Sequence, residues 1–206
     1  MVKLTAFFVL ALGFNLTAYC APIYIYGDDF DLPIPQQPDE SLGWMEDAVI
    51  NIPDHHIISD LDIKVNITHT SVFDLQLFLV SPAETIVCLN RYSINEFFIG
   101  ADYRNTIFDD EALLSIKDEV SEPPFTGRFR PIESLGIFDG EDAFGLWRLR
   151  IYDAQYADRG QLDSYELQIT IPEPSTVLML VAGAVFIKLF PSRRRFKPRS
   201  DRTSKS

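Results

Sequence analysis

The chain has 206 residues, 47% of them hydrophobic and 23% charged, enough for one packed domain plus targeting segments and too apolar for a disordered polymer. Between Ala21 and Pro172 stand 28 acidic against 9 basic residues, a net of −19, whereas beyond Pro191 7 basic residues face one Asp. So acidic a body repels phosphate backbones, which excludes a nucleic-acid partner; it suits divalent cations, or serves only to keep an exported domain soluble.

Met1 to Ala21 reads as a secretory signal: Lys3 gives the positive start, Leu4 to Ala18 the apolar stretch, and Ala18-Tyr19-Cys20 a small-x-small cleavage site. Acylation of Cys20 is disfavoured by the bulky Tyr19 before it. With Cys20 at the cleavage point, Cys88 is left without an intrachain partner and reads as a small buried apolar residue, so the fold must rest on its core. Residues 22–43 hold four prolines and five acids and read as a loose leader or an approach to the first strand.

Strand signals then recur. Leu61, Ile63, Val65 and Ile67 alternate with Asp62, Lys64, Asn66 and Thr68, a two-residue period with one face buried and one wet. Leu75, Leu77 and Leu79 give a second run, ended by Ser81-Pro82, and Ile86 to Leu89 a third. Trp147, Leu149 and Ile151 alternate with Arg148 and Arg150, and Tyr165, Leu167, Ile169 and Ile171 with Glu166, Gln168 and Thr170. Short strands separated by loops rich in Gly, Pro and Asp predict an all-β sandwich or jelly roll over 44–171.

The strongest candidate site is a calcium site built from Asp109, Asp110 and Glu111, just after an expected strand end at Phe108, together with Asp153 and Asp158. If they converge at one end of the sandwich, these loop carboxylates offer the hard oxygens calcium prefers; alternatively, some of them cap turns. His55 and His56 are adjacent, face opposite ways on extended backbone, and belong to an exposed loop. His69 continues the inward alternation and reads as a hydrogen-bonded residue at the core rim. Trp147 shares a face with Leu149 and Ile151 and reads as core rather than as a sugar-stacking platform. Tyr24, Tyr26, Tyr152 and Tyr156 are better candidates for exposed aromatics. A catalytic Ser, His and acid on a protease-sized scaffold are not recognisable, so the chain reads as a non-enzyme.

From Asp60 to Ile171 the body resembles the P domain (homo B domain) of proprotein convertases and related bacterial proteins. The segments that carry the resemblance are Ile63 to Thr70, Asp74-Leu75 through Leu79, Ser81-Pro82, Phe108-Asp109-Asp110-Glu111-Ala112, Pro124-Phe125-Thr126-Gly127, Phe129-Arg130-Pro131 and Gly145-Leu146-Trp147-Arg148-Leu149, with Asp153, Gly160, Leu162 and Leu167. Phe73 and Glu84 stand where that family usually has glycine, which affects turns more than fold. The resemblance implies a jelly-roll sandwich, calcium in the end loops, and a domain that normally follows and stabilises a subtilisin-like protease, whose catalytic domain is not expected in this body.

Pro172-Glu173-Pro174, an apolar run over 176–190 and then Arg193, Arg194, Arg195 and Lys197 resemble the PEP-CTERM sorting signal of Gram-negative bacteria. The apolar run predicts a short transmembrane helix, and the basic cluster with the tail 198–206 stays cytoplasmic, which leaves the acidic body outside. That resemblance, over 172–197, implies transient anchoring in the inner membrane, cutting by an exosortase-type enzyme, and association with extracellular polysaccharide at the cell surface. Two functions are expected from these readings. One is a calcium-stabilised, non-catalytic binding or structural module presented at the cell envelope. The other is an accessory subunit acting in trans on a secreted subtilisin-like serine protease.

Overall fold

A computed structural model describes residues 21–35, 42–91, 100–118, 121–155 and 158–172. All but the last residue of the expected signal peptide 1–21, the span 176–190, Glu173, Pro174, Arg193, Arg194, Arg195 and the tail 198–206 lie outside those residues. Among the described residues no helix is long and apolar enough to cross a membrane.

Among the described residues ten strands form two five-stranded sheets, and the all-β expectation holds. Sheet A runs β1(Ile23–Ile34), β10(Gly160–Thr170), β4(Asp60–His69), β7(Tyr103–Phe108), β8(Phe125–Phe129). Sheet B runs β2(Gly43–Trp44), β9(Gly145–Asp153), β5(Leu75–Val80), β6(Ile86–Asn90), with β3(Ala48–Ile52) also pairing with β9. All pairings are antiparallel except β7 with β8.

The period-two runs do what the pattern requires. Leu61, Ile63, Val65 and Ile67 of β4 and Leu162, Leu167 and Ile169 of β10 are buried, as are Trp147, Leu149 and Ile151 of β9. The two inner faces meet in a single core, and Trp147 sits in it at 0% exposure with its indole N–H donating to Ala143 O at 2.8 Å. Two buried tyrosines tie the sheets together: Tyr165 Oη of β10 lies 3.2 Å from both Ala48 O and Trp147 O, and Asn90 Nδ2 of β6 donates to Tyr103 Oη of β7 at 2.6 Å. Burial raises both phenol pKa values, so each keeps its proton for these bonds. Cys88 is buried and unpaired in a disulfide, as its strand position implied.

The stretch 22–43 differs from the sequence reading. Ile23–Ile34 is not a leader but a 12-residue edge strand paired with β10 from Ile23↔Thr170 to Ile34↔Gly160. Its apolar alternation is weak because an edge strand buries little, and Pro33 is admissible there because an edge needs only one row of ladder bonds. The domain therefore starts some twenty residues earlier than 44. Glu84, at one of the two positions where the resemblance has glycine, adopts φ 65° in the turn between β5 and β6.

Candidate metal centre

The antiparallel pairing of β4 with β7 sets Ile63 opposite Phe108, and the parallel pairing of β7 with β8 sets Phe108 beside Phe129. The start of β4 and the ends of β7 and β8 therefore meet, bringing Asp60 and Asp62 next to the loop that begins at Asp109. Ligand oxygens of Asp60, Asp62 and Glu111 lie within 4.8 Å of one another, and among the described residues this is the group of acids able to hold a metal ion.

Arg128 shapes the cluster. Its Nη1 donates to Asp62 Oδ2 at 2.7 Å and to Asp109 Oδ2 at 2.6 Å, which raises the guanidinium's own pKa. Burial opposes the charge on Asp109, yet the bonds from Arg128 and Glu111 hold its carboxyl below the ordinary range. Glu111 moves the other way, raised first by its side-chain hydrogen bond with Asp109 and then by burial. Burial also raises Asp62 despite Arg128, and raises Asp60, where the charges of Asp109 and Asp110 add to it. Asp62 Oδ1 is buried and has no hydrogen-bond partner. A buried carboxylate oxygen without a partner costs about 1–3 kcal/mol, and a cation beside it removes that cost. Three carboxylates and an orphaned oxygen fit a hard cation such as calcium, with its remaining positions left to water and backbone carbonyls.

The five acids singled out from sequence do not converge. Asp109 and Glu111 join the cluster. Asp110 instead accepts from Ser134 Oγ at 2.5 Å, Gly136 N at 2.9 Å and Leu135 N at 3.2 Å, capping the short 3-10 helix Leu135–Phe138. Asp153 and Asp158 lie at the far end of β4, near His69. Seven residues of strand separate Asp62 from His69, about 23 Å at 3.3 Å per residue, so one ion cannot bridge the two ends. At that far end Asp153 Oδ2 faces His69 Nε2 at 3.2 Å, and Asp158 Oδ1 accepts from Thr70 Oγ1 at 2.6 Å. Asp74 stands beside them, its pKa raised first by burial and then by a side-chain hydrogen bond with Asp158.

Asp62 was missed because on β4 it read only as part of the wet half of an alternation, and Asp60 stands just before that run. Their period of two with Lys64 was visible; the strand facing them was not. Of the candidates for exposed aromatics Tyr24 is exposed, Tyr26 and Tyr152 are half-buried, and Tyr156 lies outside the described residues. His69 is 1% exposed with Nδ1 2.8 Å from Ser71 O, at the core rim. The buried His69–Asp153 pair has the elements of a general base, but no substrate reaches side chains that are 0% exposed. His55 and His56 turn apart: one stacks on Phe144 and pairs with Asp142, the other stacks on Tyr24. Arg148 and Arg150 pair with Glu84 and Asp47 on the wet face.

Residues 58–169 match the proprotein convertase P-domain family, more than half of the chain. The chain belongs to that family. Among solved structures this P domain is similar to the serine protease of Aeromonas sobria in complex with the chaperone ORF2, at 18% identity and TM-score 0.44, covering 74% of this chain and 27% of that one. It is also similar to the Aeromonas sobria serine protease described without the chaperone, at 14% identity and TM-score 0.40, covering 76% and 28%. The P domain thus spans little more than a quarter of those chains. No curated protein matches it.

Proposed function

We propose that the protein is an exported, non-catalytic P domain that binds calcium at Asp60, Asp62 and Glu111 and is presented at the cell surface of a Gram-negative bacterium for binding or structural roles. The orphaned Asp62 Oδ1 among those carboxylates carries the calcium reading. The Pro172-Glu173-Pro174 motif, the apolar run and the arginines after it support export, transient anchoring and processing by an exosortase-type enzyme. Calcium at this cluster ties the start of β4 to the loop after β7 and relieves repulsion among its acids.

A thermal melt in calcium and in chelator tests it. A ligand that binds only the folded state at 100 times its dissociation constant adds about 2.7 kcal/mol, several degrees for a domain of this size. The shift should vanish in Asp62→Asn with Glu111→Gln and persist in Asp158→Asn. Equal melting in calcium and chelator rules the calcium site out.

Family membership favours a second reading, an accessory role in trans on a separately encoded subtilisin-like serine protease. Its test is the activity and half-life of the host's secreted proteases with and without the purified domain; no change in either discards it.

A further inference from the structure

The outer face of sheet A is largely polar, with Ile23 and Ile25 exposed on β1. Register sets Gly27, Glu166 and Lys64 in one row across β1, β10 and β4, and Asp29, Ser164 and Asn66 in the next. These six residues, with Ile25 and Asp28, line a groove of about 520 Å³. Three register shifts flank it, between Asp29 and Leu32, between Leu162 and Ser164, and between Val65 and Ile67. Bulges of this kind bend strands and re-aim side chains, here making an otherwise flat sheet face concave. Gly27 keeps the floor open: a Cβ there would lie 2.7 Å from Glu166 Cβ and 3.2 Å from Tyr165 O.

The lining selects its ligand. Asp28, Asp29 and Glu166 outweigh Lys64, so phosphates, nucleotides and polyanions are repelled. With so polar a lining the groove does not suit a lipid or an apolar cofactor. Lys64 Nζ stands 3.7 Å from Glu166 Oε2, and Asn66 Nδ2 donates to Ser164 Oγ at 3.0 Å. Carboxylates that accept, an ammonium that donates and a serine hydroxyl that does both are the complement of sugar hydroxyls. Ile25, 62% exposed at the rim, offers apolar surface to the C–H face of a pyranose.

We propose that this groove binds a neutral oligosaccharide chain. The proposal deepens the binding-module reading and rests on it. The test titrates the full chain, purified in detergent, with a panel of neutral hexasaccharides (glucan, mannan, galactan and xylan) by calorimetry, in calcium and in chelator. Saturable binding of at least one is expected, weakened about tenfold or more in Asp29→Ala and in Glu166→Ala, both with unchanged melting temperature. No binding by any of them, or binding indifferent to both substitutions, overturns the groove as a saccharide site. That failure leaves the calcium-dependent melting shift intact, whereas loss of the shift with saccharide binding retained sinks only the calcium site.

Discussion

His69 Nε2 lies 3.2 Å from Asp153 Oδ2, with both side chains at 0% exposure, and this contact joins the end of β4 in sheet A to the end of β9 in sheet B. Asp153 also accepts from Gln155 N at 3.1 Å, so its carboxylate serves two donors without access to water.

Removing one partner of such a buried hydrogen-bonded pair typically costs about 1–3 kcal/mol, because the other is left desolvated and unpaired. Asp153→Ala should lower stability in urea denaturation by that amount while leaving any calcium-induced shift unchanged. A loss below about 1 kcal/mol, the scale of a surface pair, contradicts the buried geometry.

Arg128 occupies one oxygen each of Asp62 and Asp109. Its side chain is about half exposed, so Arg128→Met should destabilise the chelated protein by only about 1 kcal/mol. The calcium-induced rise in melting temperature should grow, since the ion then supplies the positive charge that Arg128 provided. A smaller rise in the variant would place the ion elsewhere.

The acids of the cluster predict a pH response with a definite sign. Asp60, Asp62 and Glu111 have raised pKa values, through burial for the two aspartates and through the Asp109 hydrogen bond for Glu111. Burial raises Asp74 as well. A carboxyl raised on folding binds its proton more tightly in the native state, so it costs stability once the pH exceeds its folded value and returns it on acidification. Asp109 and Asp102 are lowered, and their contribution is lost only as pH falls through their depressed folded values. In chelator, the melting temperature should therefore rise as the pH is lowered toward about 4, the ordinary carboxylate value, and fall again below it. In calcium the rise should be absent or reversed, because protons compete with the ion. Thermal melts across that range, with and without chelator, provide the check.

Gly160 packs against backbone. A Cβ there would lie 2.1 Å from Thr68 O, 2.5 Å from Cδ2 of the buried, hydrogen-bonded His69 ring and 2.8 Å from His69 Cα, none of them free to yield. Gly160→Ala should cost about 3 kcal/mol, the upper end of overpacking. Gly127, at φ +96° with open space around it, should cost only about 1–2 kcal/mol as alanine, from backbone strain alone. Chemical denaturation of the two variants separates the steric effect from the conformational one.

Much of the sandwich was legible in the chain. Alternation in β4, β9 and β10, together with the short runs of β5 and β6, identified both inner faces, and the placing of Trp147 and His69 followed from it. The strand β1 escaped because an edge strand with one wet face and a paired side of modest burial leaves a faint period. Of the acids singled out, Asp109 and Glu111 reach the candidate metal centre, Asp110 became a cap, and Asp153 and Asp158 went to the opposite end.

Alternation by itself determined which side of each strand faces oil and which faces water, since that depends only on the direction of successive Cβ atoms along one strand. Only the tertiary structure decided which strands lie beside which. The register of β4 against β7 brought Asp60 and Asp62 to Glu111, and that of β1 against β10 set Gly27 beside Glu166. Sheet pairing joins segments far apart in the chain, and no local period records the partner across a sheet.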